Sequence, residues 1–133
     1  MKLNLIYCRN IQNYIGYNND LLYHIPEDMK YFKNITSQEY IKDHKNIVIM
    51  GYNTWKSIPE KYKPLPNRLN IIITKNHFSE MKFENENIKV FNDFKFCYDW
   101  LKSEENNSRL LGEKFIIGGA QLYNHVFSEY NSV

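Results

Sequence analysis

The chain has 133 residues, enough for one domain with a single hydrophobic core. Hydrophobic residues make up 43% and charged residues 24% of the chain, which excludes disordered and fibrous proteins. The 17 basic residues are nearly balanced by 15 acidic ones, for a net charge of +2, so a nucleic-acid-binding or membrane-binding surface is not expected.

Further classes of protein are excluded by the cysteines, the histidines and the longest apolar runs. Cys8 and Cys97 form no CxxC pair and are too few for a disulfide framework, so we expect reduced thiols and a cytoplasmic protein. The four histidines have no metal-ligand spacing, so we expect no metal site. The runs IVIM and FIIGGA are too short to span a bilayer, and MKLNLIYC lacks the apolar region of a signal peptide, so we expect a soluble protein.

Short apolar runs alternate with helical patterns along the chain. Three of the runs are almost continuous Ile and Val, which is typical of parallel strands covered on both faces. The alternation predicts one α/β domain over residues 1–133, with a mainly parallel sheet and flanking helices. The predicted strands are 3–8, 46–51, 70–74, 88–91 and 114–119, and the predicted helices are 26–37, 53–58, 93–102 and 119–128.

The longest predicted loop is RNIQNYIGYNNDLLYH, residues 9–24, directly after the first strand. It is rich in Asn and has no sustained periodicity. A loop of this length is either a disordered insert or a functional lid.

Asp28, in the helical segment IPEDMKYFKNIT, occupies an unusual position. With proline as the first helical residue, Asp28 is the third, where an acid interacts favourably with the helix dipole. It nevertheless lies on the face of Ile25, Met29 and Phe32, where apolar side chains are expected. Desolvation there raises the pKa of a carboxylic acid unless a partner donates hydrogen bonds, so a ligand with two adjacent donors would suit this position.

Two predicted strands run into helices through glycine. Gly51 is followed closely by Thr54, and Gly118 and Gly119 precede the last helix. Glycine allows close approach of the backbone, and a helix N-terminus favours an anion such as a pyrophosphate. A turn without a ligand is the alternative at each position, and GGA does not match the GxGxxG fingerprint.

Two basic residues are candidates for binding an anionic ligand. One follows the third strand, and the other lies near an apolar loop residue. Thr74 and Lys75 follow the third strand at its carboxyl end, where Lys75 can pair with an additional phosphate. Arg68 comes soon after Leu65 in PLPNR, where a guanidinium can bind a carboxylate in bidentate fashion. A solvated surface position is the alternative for both basic residues.

Four stretches carry a family resemblance: YIGYNND, IPEDMKYFKNIT, IVIMGYNTWKSIPEKYKPLPNRLNIIIT and KFIIGGAQLY. In order and spacing they resemble dihydrofolate reductases over nearly the full chain, and MGYNTWKSIPEKYKPLP is similar to the eukaryotic branch. The resemblance implies hydride transfer from NADPH to 7,8-dihydrofolate, giving tetrahydrofolate, and binding of antifolates such as methotrexate. Some eukaryotic-type relatives are fused to thymidylate synthase, which makes that enzyme a candidate partner.

The resemblance also implies roles for single residues around the substrate. Asp28 would bind the 2-amino and N3–H groups of the pterin and favour its protonation, with a water molecule delivering the proton. Arg68 would hold the glutamate carboxylate of the substrate. The folate pocket would be lined by Ile6, Cys8, Met29, Phe32, Ile58, Leu65, Ile117 and Tyr123.

For NADPH, the resemblance implies that both glycine turns contact the pyrophosphate and that loop 9–24 closes over the nicotinamide. Lys75, beside Thr74, would meet the 2′-phosphate. The other cofactor-binding positions would be Cys8, Ile15, Gly16, Gly51, Thr54, Gly118, Gly119, Ala120, Gln121 and Leu122.

The chain departs from the family pattern at three places. Leu22 and Tyr23 replace the usual Pro-Trp of the lid, so the hydroxyl of Tyr23 would have to hold the water near the pterin. Tyr52 replaces a common basic residue, so selection of NADPH would depend more on Lys75. The chain stops at SEYNSV, so the C-terminal antiparallel strands of the family, and a threonine that bonds the acid, are missing. We therefore expect a truncated product or the front of a longer polypeptide, with the first strand open to pairing.

Two alternatives stay open at this point. One is a riboflavin-pathway pyrimidine reductase of similar fold, which the position of Asp28 together with Arg68 disfavours. The other is a non-catalytic remnant that binds a nucleotide, or a partner chain through the exposed first strand.

Overall fold

The computed structural model describes residues 3–5, 33–81, 85–105 and 111–129. Five strands in these parts form one sheet, and every pair of neighbouring strands is parallel. The mainly parallel sheet predicted from the apolar runs is confirmed. The strands are β1 (Asn4–Leu5), β2 (Lys45–Gly51), β3 (Arg68–Ile73), β4 (Ile88–Phe91) and β5 (Leu111–Gly118).

Helices alternate with strands along the described residues, as predicted, and the last helix follows β5. Residues 33–37 are helical and are named α1 here; the earlier part of the predicted helix 26–37 lies outside the described residues. Within the long loop after α2, residues Glu60–Tyr62 form a 3₁₀ turn, and Phe78–Glu80 form another after β3. The remaining helices are α2 (Tyr52–Ser57), α3 (Phe94–Glu105) and α4 (Ala120–Glu129).

Both faces of the sheet are covered, so most residues of β2, β3 and β5 are buried. Alternate residues along β2 enter different clusters, with Ile47 and Ile49 on one face and Val48 and Met50 on the other. The first face packs against α3 and α4 through Phe94, Cys97, Leu101, Leu122 and Val126. The second face packs against Trp55 and Ile58, with Ile35 of α1 at its margin.

The strand order is β1-β5-β2-β3-β4, so β5 lies between β1 and β2, which come before it in the sequence. Met50 near the end of β2 pairs with Gly118 at the end of β5. The carboxyl ends of β2 and β5 are therefore neighbours, and so are the helices that follow them.

A buried amide connects three elements at the opposite end of the sheet. Asn46 is 2% exposed, and its Nδ2 donates to the carbonyl oxygens of Thr36 and Gln38 at 3.0 and 2.7 Å. Its Oδ1 accepts a hydrogen bond of 3.0 Å from the N–H of Glu113. The side chain therefore satisfies main-chain groups at the end of α1 and in β5, and it fixes both to β2.

Replacement of this amide is expected to be costly. Asn46→Ala leaves three main-chain groups without their partner, and we expect it to lower the free energy of unfolding by about 2–4 kcal/mol. Chemical denaturation measures this loss. Asn124→Ala, on the exposed side of α4, is the matched control and is expected to change the unfolding free energy by less than about 0.5 kcal/mol. Equal effects in the two variants would contradict this role of Asn46.

Candidate functional site

The two glycine turns predicted from the sequence meet at the carboxyl edge of the sheet. Gly51 ends β2 and precedes α2, while Gly119 follows β5 and precedes α4. A Cβ atom added to Gly51 would lie 3.8 Å from the nitrogen of Gly119 and 3.9 Å from the oxygen of Gly118. The two main-chain segments therefore pass each other with little more than the width of a methyl group between them.

A cleft of about 820 Å³ opens at this junction. A volume of this size is in the range of cofactor sites, roughly 300–1,000 Å³. Of the predicted cofactor residues, Gly51 and Thr54 line it from β2 and α2, Thr74 and Lys75 line it from the loop after β3, and residues 119–122 line it from α4. Gly118 comes just before this wall and is itself buried.

The start of α4 favours an anion in the cleft. The main-chain N–H of Tyr123 donates to the oxygen of Gly119 at 3.0 Å, which closes the first turn of the helix. The N–H groups of a first helical turn have no acceptor within the helix, and the helix dipole makes this end positive. A phosphate group is the ligand that such an end suits best.

An ion pair stands at the other end of the cleft. The side chain of Lys75 is 76% exposed, and its Nζ lies 3.6 Å from Oδ2 of Asp93. Oδ1 of Asp93 accepts a hydrogen bond of 3.1 Å from the N–H of Lys95, which caps α3. That hydrogen bond is the main cause that lowers the pKa of Asp93 below its ordinary value, and Lys75 acts in the same direction. Among the described residues that line the cleft, Lys75 is an exposed cation that its carboxylate holds only loosely.

Arg68 is buried, and the interpretation of a solvated surface arginine is wrong. The residue is 2% exposed because it begins β3, with its side chain directed under the neighbouring loop and α1. Its Nε donates to the oxygen of Pro66 at 2.9 Å, and Nη1 donates to Oγ1 of Thr36 at 2.8 Å. Burial lowers the pKa of Arg68 to about 10. No carboxylate pairs with the guanidinium among the described residues, so a ligand carboxylate is a chemically suitable partner.

The predicted apolar residues of the folate pocket divide between the two faces. Ile58 and Ile117 are buried in one cluster, and Leu65 packs at its margin. Tyr123 packs against the cluster on the other face. The structure therefore brings three of the four described positions together and places Tyr123 on the α4 side.

Two buried polar residues, Asn70 and Thr36, hold the loop that contains Leu65 and the start of β3. Neither of them was predicted from the sequence. Asn70 is 0% exposed, and its amide exchanges hydrogen bonds of 2.9 and 3.0 Å with the main chain of Leu65. Thr36 is also fully buried and holds Arg68. The sequence signal that could have indicated a buried polar residue was Asn70 itself, which lies between apolar Leu69 and Ile71. The sequence around Thr36 gave no such signal.

Several predicted positions lie outside the described residues. These include both predicted catalytic residues, Asp28 and Tyr23, and the whole of loop 9–24, with Ile15 and Gly16. The others are Ile6, Cys8, Met29 and Phe32.

Within the described ranges, no group of three or more His, Cys, Asp or Glu side chains is arranged to hold a metal ion. No helix in those ranges combines the length and the apolar character that a bilayer crossing requires.

The family model described as dihydrofolate reductase matches residues 2–133. The chain belongs to the dihydrofolate reductase family. It is 32% identical to the dihydrofolate reductase of Saccharomyces cerevisiae over 124 residues, which cover 93% of this chain and 58% of the yeast protein. The solved structure of Schistosoma mansoni dihydrofolate reductase matches with a TM-score of 0.71 and 32% identity, covering 97% of this chain and 67% of that one.

Longer relatives carry a second enzyme. The bifunctional dihydrofolate reductase-thymidylate synthase of Glycine max is 32% identical over 109 residues, which cover 82% of this chain and 20% of the soybean protein. The chain spans 58% and 55% of the length of the yeast and Candida albicans reductases. The predicted family is confirmed, and this favours a dihydrofolate reductase over the riboflavin-pathway alternative.

Substitution of Gly51 tests the cleft as a binding site, because it should change ligand affinity without changing the stability of the fold. Its φ of −78° and ψ of 170° suit alanine, and the added methyl group would make ordinary van der Waals contacts. We expect Gly51→Ala to change the unfolding free energy by less than about 1 kcal/mol. Because the methyl group narrows the gap between the two turns, binding of NADPH is expected to weaken by at least roughly tenfold in titration calorimetry.

Gly112→Ala is the control with the opposite pattern. A Cβ atom on Gly112 would lie 2.5 Å from Oδ1 of Asn46, which is fixed by its hydrogen bonds. This variant is expected to lose stability while its folded fraction binds NADPH as before. A Gly51→Ala variant with unchanged NADPH affinity would contradict a phosphate site between the glycine turns.

Proposed function

We propose that this chain is the cofactor-binding and substrate-binding part of a reductase that converts 7,8-dihydrofolate into tetrahydrofolate with NADPH. The observation that carries the proposal is the cleft between the two glycine turns, with Lys75 at its far end, in a chain of the dihydrofolate reductase family. The volume and the lining residues of this cleft suit a dinucleotide with one extra phosphate.

The described residues would hold the cofactor by its charged parts. Gly51 and Gly119 leave room for a diphosphate bridge beside the main chain, and the N-terminus of α4 would stabilise its charge. Lys75 would exchange its loose contact with Asp93 for the 2′-phosphate. When bound, NADPH supplies the hydride; the role of these residues is to bind and orient it.

Arg68 supports the substrate assignment. A buried guanidinium without a carboxylate among the described residues has lost its hydration, and a bidentate carboxylate would restore the missing interactions. The glutamate tail of dihydrofolate carries such a group. Ile58 and Leu65 lie in the apolar cluster on the same side and would contact the ring that precedes the tail.

The proton-transfer step is assigned to residues before α1. Asp28 would orient the pterin through two hydrogen bonds and favour its protonation, and Tyr23 would position the water that delivers the proton. This part of the proposal rests on the sequence pattern and on the family.

The proposal extends to location, inhibitors and partners. A low cysteine content and the buried free thiol of Cys97 support a reducing, cytoplasmic setting. Methotrexate, which carries both a pteridine and a glutamate, would bind through the same Asp28 and Arg68. The bifunctional relatives from Glycine max and Arabidopsis thaliana support a fused or associated thymidylate synthase.

Asp28→Asn tests the catalytic assignment. The amide cannot carry the charge that favours protonation of the pterin, so we expect most dihydrofolate reduction near neutral pH to disappear. NADPH affinity is expected to change by less than about threefold, since the proposed contact of Asp28 is with the pterin and not with the cofactor. Absorbance at the NADPH band measures turnover, and calorimetry measures binding. Turnover at the original rate would reject Asp28 as the acid, and a wild-type chain that binds NADPH without turnover would indicate a non-catalytic remnant.

Lys75→Ala tests the position of the 2′-phosphate. Loss of this cation also leaves Asp93 unpaired beside the phosphate, so we expect NADPH to bind roughly tenfold more weakly and NADH less than about twofold. Lys56→Ala, on the exposed side of α2, is the control and is expected to affect neither cofactor. Equal losses for NADPH and NADH in the Lys75 variant would mean that the extra phosphate binds elsewhere.

A further inference from the structure

Three buried side chains form a gradient of polarity along one face of β3. Arg68, Asn70 and Ile72 alternate along the strand, so their side chains point to the same side of the sheet. Ile72 belongs to the apolar cluster that contains Ile58 and has Leu65 at its margin. This face therefore has a charged end and an apolar end, and the neutral amide of Asn70 lies between them.

The Asn70 amide takes the place of a neighbouring strand for the loop before β3. Its Oδ1 accepts a hydrogen bond of 2.9 Å from the N–H of Leu65, and its Nδ2 donates to the oxygen of Leu65 at 3.0 Å. Nδ2 also donates to the oxygen of Arg68 at 3.0 Å. Between these two residues the chain turns through Asn67, which has a φ of 62°. One side chain therefore holds both ends of the turn from Leu65 to Arg68.

The same turn holds the guanidinium of Arg68. Nε donates to the oxygen of Pro66 at 2.9 Å, so one anchor of the guanidinium is a main-chain atom inside the turn. The other anchor is Oγ1 of Thr36, which accepts a hydrogen bond of 2.8 Å from Nη1. Both anchors set the direction of the remaining N–H groups. Because a bidentate contact with a carboxylate requires a defined direction, a shift of the turn would weaken it.

We propose that Asn70 is a positioning residue for the tail of the substrate. By fixing the turn, its amide sets the position of Leu65 against the ring that precedes the tail and directs Arg68 toward the glutamate carboxylate. This inference rests on the proposed function, because it needs that carboxylate to reach Arg68. Asn70 acts through Leu65 and Arg68 alone, so its effect is confined to ligands that carry the tail.

A substrate without the tail separates positioning from general support of the fold. A 7,8-dihydropterin that lacks the aminobenzoyl-glutamate group keeps the reacting ring and gives Arg68 no carboxylate to bind. A purely structural role of Asn70 would change the kinetics of both pterins alike. A positioning role changes the KM of dihydrofolate and leaves the kcat of both substrates nearly unchanged.

The experiment measures both pterins with saturating NADPH in the full chain. Asn70→Leu keeps the approximate volume of the side chain and removes all three hydrogen bonds. We expect the KM of dihydrofolate to rise roughly tenfold, and the KM of the tail-less pterin to change by less than about twofold. Asn70→Asp is closer in shape and loses only the two donated bonds, so it is expected to shift the KM of dihydrofolate in the same direction.

Ile71→Ala is the matched control for lost stability. Ile71 is the next residue of β3, is fully buried and packs in the cluster on the opposite face of the sheet. We expect this variant to have a lower Tm, while the ratio of the two KM values stays within about twofold of the wild-type ratio.

The outcomes separate this inference from the function it rests on. A wild-type ratio of the two KM values in the folded Asn70 variants would overturn the role of Asn70, would indicate that Thr36 is sufficient to orient Arg68, and would leave the proposed function intact. An equal rise of both KM values would also overturn it, since it would show a structural role alone. A wild-type chain that reduces neither pterin would overturn the proposed function together with the inference.

Discussion

The parallel pairing of β2 with β5 is the constraint on which the rest of the molecule depends. Because β5 enters between β1 and β2, Met50 faces Gly118 and the two glycine turns lie side by side. Neither turn alone is a binding site, since each is a short passage from strand to helix. Together they form a narrow gap at the carboxyl edge of the sheet, and the cleft opens there. The cleft is thus a product of strand order rather than of any single motif.

Buried polar side chains hold the surrounding loops in place. Asn46 joins β2 to α1 and β5, and Asn70 holds the main chain of Leu65. Each amide satisfies main-chain groups that no strand or helix pairs, which is why their burial is favourable. Arg68 follows the same rule in part, with contacts to Pro66 and Thr36. Two neutral amides therefore hold the loops on this side of the sheet, and the buried guanidinium of Arg68 lies beside them.

Local patterns predicted much of this fold. Continuous Ile and Val in IVIM and NIIIT identified covered strands, and the helices after Gly51 and Gly119 begin within a residue or so of their predicted starts. Strand order could not be derived, because pairing of β5 with β2 joins residues that are distant in the sequence. The burial of Arg68 and the stack of Tyr52 on His77 were missed for the same reason. For Asp28, which lies outside the described residues, the sequence pattern and the family remain the basis of the assignment.

The burial of Arg68 connects folding with the proposed binding of a carboxylate. Folding removes water from the guanidinium, and no carboxylate among the described residues restores the stabilisation of its charge. An arriving carboxylate restores that stabilisation inside a medium of low polarity, where the attraction is strong. If the proposed substrate binds here, its carboxylate would raise the resistance of the domain to unfolding.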